Sequence, residues 1–176
     1  MKNKLGLISI ASIVVILVSF ALFAIPGQFI RLYGFNDSVP GTSLAGYEYF
    51  FHIIQGIGDS GTNQWFADGR PSVTGIMVII FITLALPCFV FYKKSTALPL
   101  LGGILEILSG FFLLMTTPFS HLIYKKLGAL TASWVAYLTG ALILLLGIAA
   151  LAQSIVELRK EKVVLQSKGG YSYLKK

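Results

Sequence analysis

Hydrophobic residues fill four stretches of the chain almost without interruption. These stretches are Leu5–Ile25, Val73–Tyr92, Thr96–Thr117 and Leu130–Leu151. A helix rises about 1.5 Å per residue, so about 20 apolar residues cross the roughly 30 Å hydrocarbon layer of a membrane. The pattern therefore predicts an all-α integral membrane protein with four transmembrane helices.

The first hydrophobic stretch follows a basic segment at residues 1–4, as a secretory signal peptide also does. This mostly apolar stretch of 21 residues exceeds the roughly 7–15 of a signal-peptide core, and Phe23-Ala24 is a poor match to the small-x-small pattern of a cleavage site. An uncleaved membrane anchor is the favoured interpretation, and a signal peptide is the alternative.

The composition agrees with a membrane protein. Hydrophobic residues make up 56% of the 176 residues, charged residues make up 12%, and the mean hydropathy is +0.81. A soluble domain has about 25% charged residues, and a disulfide scaffold has many cysteines, whereas this chain has one cysteine. We divide the chain into a transmembrane domain at residues 1–152 and a basic tail at residues 153–176.

The positive charge predicts the orientation of the helices. Loops on the cytoplasmic side of a membrane protein carry an excess of Lys and Arg. Here ten basic residues would lie on one side and four on the other: Lys2, Lys4, Lys93, Lys94, Arg159, Lys160, Lys162, Lys168, Lys175 and Lys176, against Arg31, Arg70, Lys125 and Lys126. We expect a multi-pass protein of the plasma membrane with both termini in the cytoplasm. The net charge of +7 is then a topology signal, with membrane lipids and not nucleic acid as the partner.

The segment at residues 26–72 is an unusually long connection between two membrane helices. Helix connections in bundles usually have about 2–8 residues, and this one is rich in glycine and in aromatic residues. A disordered linker would not hold so many large apolar rings, because leaving them in water is unfavourable. We therefore predict an ordered outer loop that packs on the helix ends or on a partner.

Glu106 lies near the middle of the third hydrophobic stretch. A charge at mid-bilayer costs roughly 2.5–3.5 kcal/mol on insertion scales, so we expect this side chain to face the bundle interior or another subunit. Two interpretations are open: a protonated, structural hydrogen-bonding acid, which we favour, or a carboxylate that binds a proton or cation. The expected intramembrane polar site consists of Glu106, Ser109, Thr83 and Tyr137. Further candidate hydrogen-bond partners on one face of helix one are Ser9, Ser12 and Ser19.

Small residues at helical spacing predict the faces on which the helices pack closely. The third helix carries Gly103 and Gly110 next to Glu106. The fourth carries a ridge of small residues four and seven positions apart: Ala132, Ala136, Gly140 and Gly147. These faces would pack within the chain or against a partner.

The outer segments hold the residues that most resemble metal ligands. Glu48 and His52 are four residues apart, and His121 is expected on the same side of the membrane. A metal site is the less favoured interpretation, because such a pair often arises by chance and topology alone brings His121 near. We expect solvated or hydrogen-bonded loop residues and no cofactor.

Catalytic motifs are missing from the sequence. It contains no H-E-x-x-H or G-x-S-x-G motif and no Walker lysine loop, and Cys88 is its one cysteine. The leading hypothesis is a non-catalytic membrane subunit or scaffold that associates with other membrane proteins, or with itself, through its helix faces and aromatic outer loop. The alternative is a small transporter or channel component that uses Glu106 as a proton- or cation-binding carboxylate.

Overall fold

The computed structural model describes residues 2–25, 30–33, 42–44, 73–123 and 129–173. The helices in this part of the chain are α1 (Lys2–Ala24), α2 (Val73–Val90), α3 (Ala97–Leu114), α4 (Thr116–Ile123) and α5 (Trp134–Tyr173). The strands are β1 (Ile30–Tyr33), β2 (Thr42–Leu44) and β3 (Ala129–Ala132).

Three segments of the described helices are long and apolar enough to cross a membrane: Lys4–Ala24, Ala97–Leu114 and Trp134–Lys160. The apolar part of α2, Thr74–Val90, is shorter than these three. The predicted helical membrane architecture is confirmed to this extent.

The long helices form an antiparallel bundle. Gly6 near the start of α1 lies beside Tyr92, which follows the end of α2. Gly102 near the start of α3 lies beside Phe89 near the end of α2. Helix α3 packs most extensively against α5 and then against α2, while α1 packs on α5 and α2. The core at the centre of the bundle is apolar: Ile16, Phe23, Val78, Ile82, Ala85, Phe89, Leu113, Ala136, Ile143 and Ala150.

The third hydrophobic stretch is not one straight helix, which corrects the predicted span at residues 96–117. Helix α3 ends at Leu114, Met115 leaves the helical conformation, and α4 follows directly. Pro118 explains the break, because its ring would clash with the carbonyl of the residue four positions earlier. A proline is tolerated in the first turn of α4, where no hydrogen bond from its nitrogen is needed.

The fourth hydrophobic stretch begins as a strand, which corrects the predicted helix start at residue 130. Residues Ala129–Ala132 form β3, and α5 begins at Trp134. The Ser133 hydroxyl accepts a hydrogen bond from the Ala136 amide at 3.3 Å, as an N-terminal helix cap does. The helix then continues to Tyr173, so the domain boundary predicted at residues 152/153 falls inside α5.

A small antiparallel sheet lies at the end of the bundle where α1 ends and α5 begins. Its strand order is β2-β1-β3, so that Ile30 pairs with Leu44 on one side and with Ala132 on the other. The strands were not predicted, because three or four residues are too few to show a clear alternation. The sheet joins the segment after α1 to the segment before α5. The rest of the predicted outer loop, residues 26–29, 34–41 and 45–72, lies outside the described residues.

Candidate functional site

Glu106 is the tenth residue of the 18-residue helix α3 and is completely buried. It is the single charged residue in the segments 5–25, 73–92, 97–114 and 134–156. Helix α3 buries a stripe of small and polar residues on this side: Gly102, Gly103, Glu106, Ser109 and Gly110. The acid therefore lies at the centre of the bundle and not on its surface.

Ser12 of α1 is the hydrogen-bond partner of Glu106. Its hydroxyl donates to the Oε2 atom of Glu106 at 3.1 Å, and both side chains are fully buried. The other carboxyl oxygen, Oε1, has no hydrogen-bond partner among the described residues. This hydrogen bond joins α1 to α3.

The three serines on one face of α1 differ in what they bind. Ser9 donates to the carbonyl of Leu5 at 2.9 Å, and Ser19 donates to the carbonyl of Val15 at 2.6 Å. Both hydrogen bonds stay within α1, since a serine hydroxyl in a helix can bind the carbonyl four residues earlier. Ser12 is thus the one member of the face that reaches across to Glu106.

Gly147 of α5 provides the space in which the Glu106 side chain lies. A Cβ atom added at Gly147 would lie 2.9 Å from the Cβ of Glu106 and 2.7 Å from the carbonyl oxygen of Gly103. Real Cβ atoms do not approach other atoms so closely. A side chain at this position would therefore push α3 and α5 apart at the level of the acid.

The close packing extends over two pairs of glycines, Gly103 with Gly147 and Gly110 with Gly140. A Cβ added at Gly110 would lie 2.7 Å from the carbonyl oxygen of Gly140. Both helices place their glycines seven residues apart, and the antiparallel direction matches them in opposite order. We refer to these four residues as the glycine seam, and it lets the backbones of α3 and α5 come into direct contact.

Ser109 fixes α3 to α2 one turn from Glu106. Its hydroxyl donates to the carbonyl of Val78 at 3.2 Å, and both residues are fully buried. Glu106 thus links α3 to α1, and Ser109 links α3 to α2.

Thr83 and Tyr137 do not share the location of Glu106. Thr83 is exposed on the outside of α2. The Tyr137 hydroxyl donates to the Thr117 hydroxyl oxygen at 2.8 Å, about three helical turns from Glu106 along the α3–α4 segment. Thr117 also accepts a hydrogen bond from the backbone amide of Ala132 at 2.9 Å. Thr117 therefore joins α4, β3 and α5. Its helical spacing from Glu106 and Gly110 places it in the same predicted stripe, but its hydroxyl binds at the end of the bundle that carries the sheet.

Because Tyr137 lies at the periphery of the bundle, we expect its hydroxyl to contribute little to stability. We expect Tyr137→Phe to lower the free energy of unfolding by at most about 1 kcal/mol, because one partly exposed hydrogen bond is lost. Thr117→Val is the comparison variant and should cost more, since it also removes the acceptor for Ala132. Thermal denaturation followed by circular dichroism measures both. A larger loss in Tyr137→Phe than in Thr117→Val would contradict this assignment.

The small residues predicted as one ridge of the fourth helix are divided between two elements. Ala132 belongs to β3, whereas Ala136, Gly140 and Gly147 belong to α5. Ala136 is fully buried in the core and Ala132 is partly buried against it. The ridge is thus three residues long, and it packs within this chain.

Glu48 and His52 lie outside the described residues, and His121 lies in α4. Among the residues that the structure describes, no group of three or more His, Cys, Asp or Glu side chains could hold a metal ion.

No protein-family model matches the chain, and no curated protein matches it at a significant level. Its function must therefore be inferred from its own residues.

Proposed function

We propose that this chain is a non-catalytic membrane subunit or scaffold that associates with other integral membrane proteins at the end of the bundle that carries the sheet. The observation that carries the proposal is the pairing of β1 with β3, from Ile30 with Ala132 to Tyr33 with Ala129. This pairing joins two chain segments, far apart in sequence, into one platform on the helix ends.

The platform is fixed to the helices through Thr117 and Ser133. Thr117 of α4 binds the Ala132 amide in β3, and Ser133 caps the first turn of α5. The sheet and α5 are therefore held in a defined relation, which is what a binding surface for a partner needs.

The glycine seam supports a structural role, because it holds α3 and α5 in a fixed relation. It brings the backbones of α3 and α5 into contact, and tightly packed interiors resist continuous deformation. The seam also uses the small residues within the chain, so a partner would meet the sheet or the large aliphatic side chains of the outer faces. Exposed examples are Leu7, Val14, Leu17, Leu138 and Leu145.

We also infer that α2 is a fourth transmembrane helix. Its 18 residues rise about 27 Å, close to the hydrocarbon thickness, and it packs antiparallel between α1 and α3. The excess of Lys and Arg at the ends of the bundle away from the sheet supports a plasma-membrane protein with both termini in the cytoplasm. Membrane lipids then surround the bundle.

A proline in the central strand tests the role of the sheet. We expect Leu32→Pro to remove a ladder hydrogen bond, because β1 pairs with a strand on each side and proline has no backbone N–H. Recovery of partner membrane proteins after crosslinking in native membranes should fall about tenfold, while helicity by circular dichroism is unchanged. Leu32→Ala keeps the backbone donor and is the matched control.

Two outcomes would reject the scaffold proposal. One is a wild-type chain that remains a lone monomer in mild detergent, with nothing crosslinked to it. The other is equal partner recovery for Leu32→Pro and Leu32→Ala. The alternative, a transporter or channel component, would be supported if Glu106→Gln abolished ion-dependent flux into vesicles containing the purified chain.

A further inference from the structure

The fold leaves one oxygen of Glu106 without a partner in the bundle interior. Oε2 accepts the hydrogen bond of Ser12, whereas Oε1 is buried and unbonded among the described residues. The other buried unpartnered polar atom there is the Ser154 hydroxyl, seven residues beyond Gly147 and about 10 Å further along α5. Glu106 is therefore a separate polar centre with an open position.

A proton is the ligand that fits this open position. An ionised carboxylate in the membrane interior needs a compensating charge, and the four apolar segments contain no Lys, Arg or His. A hydrogen on Oε1 makes the group neutral and leaves Oε2 free to accept from Ser12. A calcium ion would need about six to eight oxygen ligands, and the described residues bring only Ser12 into hydrogen-bonding contact with Glu106.

The described groups that lie against Glu106 carry no ionisable side chain. Ser12 of α1 and Gly147 of α5 lie against it, and α2 supplies the Val78 carbonyl, which binds Ser109. The titratable groups on the described membrane segments of the packed helices are engaged elsewhere. Cys88 on α2 donates to the Leu84 carbonyl, and Tyr137 on α5 donates to Thr117.

Helix α1 is held to α3 less extensively than the other long helices are. Of the three other long helices, α1 packs least on α3, and the Ser12 hydrogen bond joins the two across the bundle. The glycine seam holds α3 and α5 together, so α1 is the helix whose displacement would let water reach Oε1.

We propose that Glu106 is a reversible proton-binding site in the membrane interior, loaded and unloaded when α1 moves relative to α3. The proposal does not depend on the chain having a protein partner, so it can fail while the scaffold proposal stands, and the reverse is also true.

A hydrophobic carbodiimide tests whether Glu106 holds a proton. The protonated carboxyl adds across one C=N bond of dicyclohexylcarbodiimide: its oxygen bonds to the central carbon and its proton passes to a nitrogen. Nothing leaves, and the adduct rearranges to a stable N-acylurea. With the full chain in phosphatidylcholine vesicles, mass spectrometry of peptides should find the adduct on Glu106. Above the midpoint of the site, labelling should fall about tenfold per pH unit.

Variants define the specificity of the label. Glu106→Gln should abolish it, and Glu157→Gln should leave it unchanged, because the Glu157 carboxylate accepts a hydrogen bond from Gln153 and pairs with Lys160. Ser12→Ala should keep the labelled acid, since it removes the donor but not the carboxyl. Ser9→Ala is its matched control, because the Ser9 hydroxyl bonds within α1.

The wild-type chain alone can also decide the matter if Glu106→Gln fails to fold. Infrared difference spectra between acidic and alkaline buffer should contain the carbonyl stretch of a protonated acid, and its loss should follow the same pH course as the labelling. Labelling of Glu106 that does not change with pH, or an absent label together with an absent infrared band, would overturn the proposal.

Discussion

Gly147→Ala is expected to lower the free energy of unfolding by about 1–3 kcal/mol, the range for inserting a methyl group into a well-packed core. The new Cβ would meet the carbonyl oxygen of Gly103, the backbone nitrogen of Ile107 and the Cβ of Glu106, all within 2.9 Å. Backbone atoms cannot rotate away, so α3 and α5 must separate. The same movement would withdraw Glu106 from Ser12.

Gly6→Ala is the matched control for this substitution. It also adds a methyl group to a helical glycine, but its Cβ would meet the ring of Tyr92 at 3.1–3.4 Å, and that ring can shift. Alanine favours a helix over glycine by up to about 1 kcal/mol, so this variant should be neutral or more stable. Thermal unfolding of both variants in the same detergent measures the difference. Equal melting temperatures for Gly147→Ala and the wild type would show that the seam is not closely packed.

Glu106→Lys is expected to prevent stable folding of the bundle. An unpaired charge buried in the bundle costs about 3–5 kcal/mol, which is a large part of the stability of a small domain. The ammonium group would have three donors to satisfy, and Ser12 is the side chain that the structure brings to this position. The middle of α3 is also too far from either membrane surface for the lysine to reach water.

Glu106→Gln separates the effect of charge from the effect of shape. The amide keeps the length of the side chain and an oxygen that accepts from Ser12, so we expect a change of about 1 kcal/mol or less. The fraction of monodisperse protein after size-exclusion chromatography should fall strongly for Glu106→Lys and little for Glu106→Gln. A well-folded Glu106→Lys protein would mean that water already reaches the site, and the packing around Oε1 would have to be reinterpreted.

Substitutions at Gly147 and at Glu106 both disturb the packing of α3 around the buried acid. The missing side chain at Gly147 leaves room for the Cβ of Glu106, and the Ser12 hydroxyl donates to one carboxyl oxygen. The close approach of α3 and α5 and the placement of the acid are therefore coupled. A double variant, Gly147→Ala with Glu106→Gln, should cost less than the sum of the single effects, because Gly147→Ala already withdraws the side chain at position 106 from Ser12.

The sequence predicted the helices well where composition alone decides them. Long apolar runs bounded by charges or prolines leave a chain in a membrane little choice but a helix, because backbone groups in hydrocarbon must bond within the segment. Prediction was weaker at the helix ends near Met115 and Ala129. There the outcome depends on a proline clash, a serine cap and strand pairing, none of which changes the apolar pattern.

Glu106 could be identified from the sequence as the single acid within the apolar segments, and so could the small residues that flank it. Which serine binds the acid, and which glycines face each other, could not. Ser9, Ser12 and Ser19 share one helix face, and a difference in height along the bundle selects Ser12. The pairing of Gly103 with Gly147 depends on the antiparallel register of α3 and α5.

The sequence by itself determined that this is a helical membrane protein with a single acid in its apolar helices, because hydropathy and charge act locally along the chain. The tertiary structure decided that Ser12 binds one oxygen of that acid, that Oε1 has no partner among the described residues, and that β1 pairs with β3 across the ends of the helices. These contacts join residues far apart in the chain, and only packing sets their distances.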